Sequence, residues 1–238
     1  MQVTEPSAFT APERAILDVC GRRRSPATFA DFHKGRPPMS KGQTYPADPP
    51  TIAEIVALMN ACPDTVSGRR LRALIIVLWR SGLRISEALA LRETDLNPRE
   101  HSIIVREGKG GKRRLVGMCD LGWHQLEPWL QERQQLPVGT VFPVVLGAST
   151  GRQWSASGAR TALRKVAKRS GVRRRIHFHG LRHAHASELW REKVDLYTIM
   201  QQLGHSDPRV TVTYLKGITN LEAVEAIAAR KPPMVPAL

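Results

Sequence analysis

Ser102-Ile-Ile-Val-Arg-Glu-Gly-Lys-Gly-Gly-Lys-Arg-Arg-Leu-Val-Gly-Met118 is the stretch on which the fold class turns. Two runs rich in β-branched and apolar residues, Ser102–Arg106 and Arg113–Met118, flank a turn built on Gly108, Gly110 and Gly111. Strand formers on both sides of a glycine-rich turn predict a β-hairpin. The segments on either side carry a helical period instead. Upstream, Ile85–Leu91 reads as a short helix with Arg84 at its entrance. Before it, Ser67–Ser81 buries Leu71, Leu74, Ile75 and Leu78 and stops at Gly82. Thr51-Ile-Ala-Glu54 is a capping box ahead of the apolar stripe Ile52, Ile55, Val56 and Met59. Downstream, helices are expected at Asp120–Gln135, Ser155–Ser170, His179–Lys193, Asp195–Leu203 and Thr219–Ala229. The class is therefore mainly α with a small antiparallel β-sheet (α+β). Residues 35–50, with Pro37, Pro38, Gly42, Pro46, Pro49 and Pro50, read as a linker. Residues 1–50 are thus a short N-terminal segment, with helical patterns at Pro12–Cys20 and Ser25–Phe32, and residues 51–238 one larger domain.

Charge narrows the partner. The 238 residues carry 36 Lys and Arg against 21 Asp and Glu, a formal net charge of +15. Such an excess fits a polyanion, above all a nucleic-acid backbone. It is also concentrated: residues 152–182 hold ten Arg or Lys and no acid. Aromatic residues make up only 5%, which disfavours a stacking platform for single strands. Cys20, Cys62 and Cys119 are odd in number and form no C-x-x-C pair, as expected of reduced thiols rather than a disulfide scaffold or zinc ribbon. The best apolar run, around Leu74–Trp79, is far shorter than a membrane span. No secretory signal is visible, so a cytoplasmic, nucleoid-associated protein without membrane contact is expected.

Five residues at fixed offsets carry the chemistry. Arg84 lies in Ser81-Gly-Leu-Arg-Ile-Ser-Glu87, where its planar fork can grip a phosphate. Taken alone it reads first as a surface arginine paired with Glu87, an order that only the larger pattern reverses. His179 and Arg182 stand three apart on one helix face, which lets a proton carrier and a cation share one phosphate. His205 follows in Leu203-Gly-His-Ser206, and Tyr214 comes nine residues later. Tyr214 alone could be an ordinary half-buried aromatic. A metal cluster of His177, His179, His183, His185 and His205 is disfavoured, because no carboxylate or thiolate joins them before Glu188. Lys109 occupies the hairpin tip, where a solvated turn lysine would also be at home, and no phosphate-loop pattern surrounds it.

Together these boxes resemble the tyrosine recombinase (phage integrase) family over Thr51 to about Arg230. Ser-Gly-Leu-Arg-Ile-Ser-Glu matches its first arginine box, departing at Ala88. His179, Leu181, Arg182 and His183 match its His-x-Leu-Arg-His pattern. Leu-Gly-His-Ser and Thr213-Tyr214-Leu215 match its terminal box. The resemblance implies a site-specific DNA recombinase in which Tyr214 attacks a phosphodiester and forms a 3′-phosphotyrosyl link. Arg84 and Arg182 would stabilise the transition state, His179 would take the tyrosine proton, and His205 would hydrogen-bond a non-bridging oxygen. A tip lysine, Lys109 with Lys112 as the alternative, would protonate the leaving 5′ oxygen. No cofactor and no metal are implied. Double-stranded DNA is the partner, with Arg160, Arg164, Lys165 and Lys168 near the major groove. A homotetramer on paired sites is expected, assembled through the Thr219–Ala229 helix. The first 50 residues are shorter than the core-binding domain of most relatives. A type IB topoisomerase-like activity and a DNA-binding regulator or excision helper with little turnover stay open as alternatives.

Overall fold

The structure, a computed structural model, describes residues 48–108, 111, 113–212 and 215. The chain divides into two units, residues 1–45 and 46–238, and every described residue lies in the second. The expectations for Pro12–Cys20, Ser25–Phe32, Lys109, Lys112, Tyr214 and Thr219–Ala229 lie outside the described residues.

Seven helices are described. They are α1 (Ile52–Asn60), α2 (Val66–Ser81), α3 (Ile85–Ala90), α4 (Asp120–Arg133), α5 (Ala156–Arg169), α6 (Phe178–Arg191) and α7 (Leu196–Leu203). Between α3 and α4 lies a three-stranded antiparallel sheet in the order β1 (Leu96–Asn97), β2 (Ser102–Val105), β3 (Arg114–Gly117). The mainly α architecture with one small sheet is the class expected. The sheet has a strand more than the hairpin, because β1 adds a two-residue edge through Leu96↔Ile103 and Asn97↔Ser102. In the hairpin, Ile103 faces Val116 and Val105 faces Arg114. Ile103, Val105 and Val116 turn into the core, whereas Leu115, on the other side of the pleat, is exposed.

Helix α2 is the axis of the domain. Leu71 and every residue from Ala73 to Trp79 are buried, so the helix is enclosed on all sides rather than amphipathic. Burying a Leu or Ile this fully stabilises by about 2 kcal/mol each, which makes this run the largest apolar contribution to the fold. Helices α4 and α6 pack along it, and α5 closes the core with Ala159, Leu163 and Val166. Ion pairs fasten these neighbours: Arg69 to Glu132 on α4, and Arg80 to Glu188 on α6. Arg70 lies under the Trp154 ring at 3.6 Å and donates to the Pro143 carbonyl.

Side chains set the boundaries. Thr51 and Glu54 form the expected reciprocal cap on α1. Thr65 caps α2 by accepting from Gly68 N–H, so the helix begins at Val66, one residue before the expected start. Ser155 and Asp195 cap α5 and α7. Among the described residues no helix is long and apolar enough to cross a membrane.

Candidate active site

Two helix ends and the root of the hairpin build one cleft. Helix α2 ends at Gly82 in the left-handed conformation (φ 65°). The glycine is required twice over: a Cβ there would also sit 2.5 Å from His185 Cδ2. The turn delivers Arg84 as the N-cap of α3. Glu87, one turn on, accepts from the Arg84 backbone N–H at 2.8 Å and from its guanidinium at 2.8 Å. Helix α7 likewise ends at Gly204 (φ 66°), where a Cβ would meet Arg114 Nε at 2.8 Å. The chain leaves that turn as His205. Arg84, Gly108, Arg113, Arg114, Gly204 and His205 line a cleft of about 560 Å³. Gly108 and Arg113, the described residues that flank Lys109 and Lys112 in the chain, both line this cleft.

Arg182 lies beneath the cleft and is 1% exposed. Its guanidinium donates to the Gly82 and Leu203 carbonyls, oxygens at the ends of α2 and α7 that find no partner within those helices. It also lies 2.9 Å from His205 Nε2. A guanidinium has only donors, so Nε2 accepts, and Nδ1 carries the proton toward Thr211 Oγ1 at 2.8 Å. Burial and the charges of Arg182, Arg84, Arg114 and His179 push the His205 pKa down to about 4. The ring is neutral at physiological pH.

His179 opens onto the surface at the second position of α6, since the helix begins at Phe178 rather than at His179. Desolvation by the surrounding protein lowers its pKa, and the charges on Arg182, His177 and Arg84 add to the effect. It therefore sits in the field of both arginines, which disfavours its charged form. His183 meets it edge-on at 4.7 Å between ring centres. Burial and the charges around it hold the His183 pKa at about 3. His177 serves the helix instead, because its Nδ1 accepts from Gly180 N–H at 2.9 Å and caps α6. Among the described residues no three His, Cys, Asp or Glu converge as metal ligands.

Arg114, which lines the cleft, and its buried partner Glu87 do not stand out in the sequence. Glu87 enters there only as a partner for Arg84, and Arg114 not at all. Arg114 donates both terminal nitrogens to the two Glu87 oxygens at 2.9 and 2.8 Å. Burial alone would raise the Glu87 carboxyl, but Arg114 and Arg84 outweigh it and hold the pKa at about 2. The sequence shows that Arg114 belongs to a strand; its contact with a helix 27 positions earlier leaves no local trace.

On α5, Arg160, Arg164, Lys165 and Lys168 all face solvent, opposite the buried Ala159, Leu163 and Val166. None has an acidic partner among the described residues. The surface is an uncompensated cationic stripe.

Residues 51–219 match the model of the phage integrase family. The chain is 33% identical over 161 residues to the tyrosine recombinase XerC of Xanthomonas campestris pv. campestris (strain B100), covering 68% of this chain and 48% of that protein. It is 31% identical over 186 residues to the tyrosine recombinase XerD of Ralstonia nicotianae, covering 74% and 58%. The chain thus spans about half the length of the curated relatives it matches. Its fold is similar to the crystal structure of XerA recombinase, with a TM-score of 0.68, 25% identity, and coverage of 84% of this chain and 73% of that one. It is also similar in fold to XerH site-specific recombinase bound to difH substrate, with a TM-score of 0.61, 23% identity, and coverage of 79% and 56%.

Proposed function

The chain belongs to the phage integrase family, and from that premise we propose that it is a site-specific DNA recombinase that cleaves and rejoins strands through a tyrosine. The observation that carries the reading is the convergence of Arg84, His205 and the Arg113–Arg114 hairpin root on one cleft, with Arg182 bonded to His205 beneath it. Preorganised cations around a neutral imidazole suit a dianionic phosphorane, whose charge grows as the nucleophile approaches. Tyr214 Oη attacks phosphorus while the bond to the 5′ oxygen breaks. His179 takes the phenol proton, and Lys109, or Lys112, gives one to the departing oxygen. To donate to a non-bridging oxygen, His205 must release Arg182 and carry its proton on Nε2 instead of Nδ1, while Arg84 and Arg182 supply the positive field. The phosphodiester energy stays in the phosphotyrosyl link, so religation by a 5′-hydroxyl reverses the same step.

Double-stranded DNA would lie along the cationic stripe of α5, with Arg160, Arg164, Lys165 and Lys168 tracking phosphates and groove edges. Residues 51–238 would act as the catalytic domain, and residues 1–50 as a short N-terminal segment with a linker. Copies would assemble as tetramers on paired sites in the nucleoid. The test is a nicked duplex whose site is selected from a randomised pool by binding. Wild-type protein should form a covalent adduct on a denaturing gel, with the yield unchanged by EDTA, and Tyr214→Phe should form none. An adduct that survives Tyr214→Phe would move the nucleophile elsewhere.

A further inference from the structure

We propose that Arg114 is a positioning residue that ties the root of the lysine-bearing hairpin to Arg84, so that phosphate binding and leaving-group protonation share one clamp. The inference rests on the strand-transfer reading above. Val105↔Arg114 is the last pair of the β2–β3 ladder, so Arg114 is the first strand-anchored residue after residues 106–113. Its fork closes on both Glu87 oxygens, and the same carboxylate holds the backbone and guanidinium of Arg84. The Glu87 side chain is 2% exposed, so these bonds are shielded from water and competing ions.

A third segment joins the clamp. The Arg114 stem lies against Gly204, the residue before His205, closely enough that no Cβ fits between them. One guanidinium thus touches the parts of the chain that carry Arg84, the tip lysines and His205. Both terminal nitrogens are occupied by Glu87 and the side chain is 14% exposed, so Arg114 acts through its neighbours rather than on the phosphate. Without it, the Glu87 charge has only Arg84 to turn to, and the hairpin root is no longer fixed to α3.

The experiment compares two substrates, the ordinary duplex and one in which sulfur replaces the scissile 5′ oxygen. A thiolate leaves without being protonated, so a defect in placing the tip lysine should vanish on the sulfur duplex. Arg114→Met should slow adduct formation about a hundredfold on the oxygen duplex, in the range of a lost general acid. On sulfur it should return to within about tenfold of wild type, as should Lys109→Ala combined with Lys112→Ala. Arg114→Lys keeps the charge but loses the fork, and should show the same oxygen-specific defect in milder form. It also serves as the second variant if Arg114→Met fails to fold. An equal defect on both substrates, or a wild-type rate on oxygen, would overturn the role of Arg114 alone. No adduct from wild-type protein on either substrate would remove the recombinase reading with it.

Discussion

His205 makes two hydrogen bonds of opposite sense, accepting from Arg182 at Nε2 and donating from Nδ1 to Thr211. That pairing selects one tautomer and one ring orientation, and burial, with the neighbouring cations adding, keeps the ring uncharged. Thr211 is fully buried, so the Nδ1 proton faces protein rather than water. Thr211→Val removes the acceptor while keeping the shape. Losing one buried hydrogen bond of about 1 kcal/mol should slow adduct formation roughly fivefold, with DNA affinity unchanged. Gel-quantified cleavage beside a binding isotherm separates the two effects. An unchanged cleavage rate would show that Arg182 fixes the ring unaided. Legibility at this scale divides in a physical way. Arg84, Arg182 and His205 stand out in the sequence because each lies at a glycine turn or on one helix face, and the structure brings them together. Glu87 and Arg114 stay hidden because an ion pair between a strand and a helix leaves no periodicity in the chain.

Among the elements, α5 shows how a sequence can announce both its faces. Ala159, Leu163 and Val166 recur at helical spacing and are buried, while Arg160, Arg164, Lys165 and Lys168 project outward. Helix ends are legible where a hydroxyl, carboxylate or glycine sets them, as at Thr51, Ser155, Asp195, Gly82 and Gly204. The start of α6 is not, because its cap is the imidazole of His177, a residue seldom used to accept from a helix N-terminus. The strand β1 escapes a sequence reading because two residues cannot show alternation. The exposed stripe on α5 leads to a prediction at the same scale. Charge reversal at Arg164 and Lys168 should weaken binding to any duplex about equally. The slope of log affinity against log salt should shallow by roughly two for the two lost phosphate contacts. Fluorescence-anisotropy titrations at several salt concentrations would measure it, and an unchanged slope would place DNA on another face.

For the molecule as a whole, buried uncharged histidines behind the cleft tie its stability to pH. His185 is buried against Gly82, within 3.4 Å of the Gln202 amide. Gln202 in turn pairs with both backbone groups of Gly117 and so links α7 to β3. Burial, with the Arg80 and Arg182 charges adding, holds the His185 pKa at about 3, and His183 is held equally low. In the unfolded chain both titrate at the ordinary histidine value near 6.5. Below that pH the unfolded state binds protons that the folded state refuses, so the stability present at neutral pH drains away as pH falls toward 3. At pH 5 the loss is about 2 kcal/mol for each histidine. Glu87 acts in a separate window: its contribution persists down to about pH 4.5 and disappears as pH falls through about 2. Urea midpoints should therefore drop between pH 7 and pH 5, before the Glu87 contribution begins to fall. His185→Gln should start from a lower midpoint but fall less steeply across that interval. A wild-type midpoint that holds level from pH 7 to pH 5 would mean that these rings accept protons in the folded state, and the neutral packing beneath Gly82 would then be wrong.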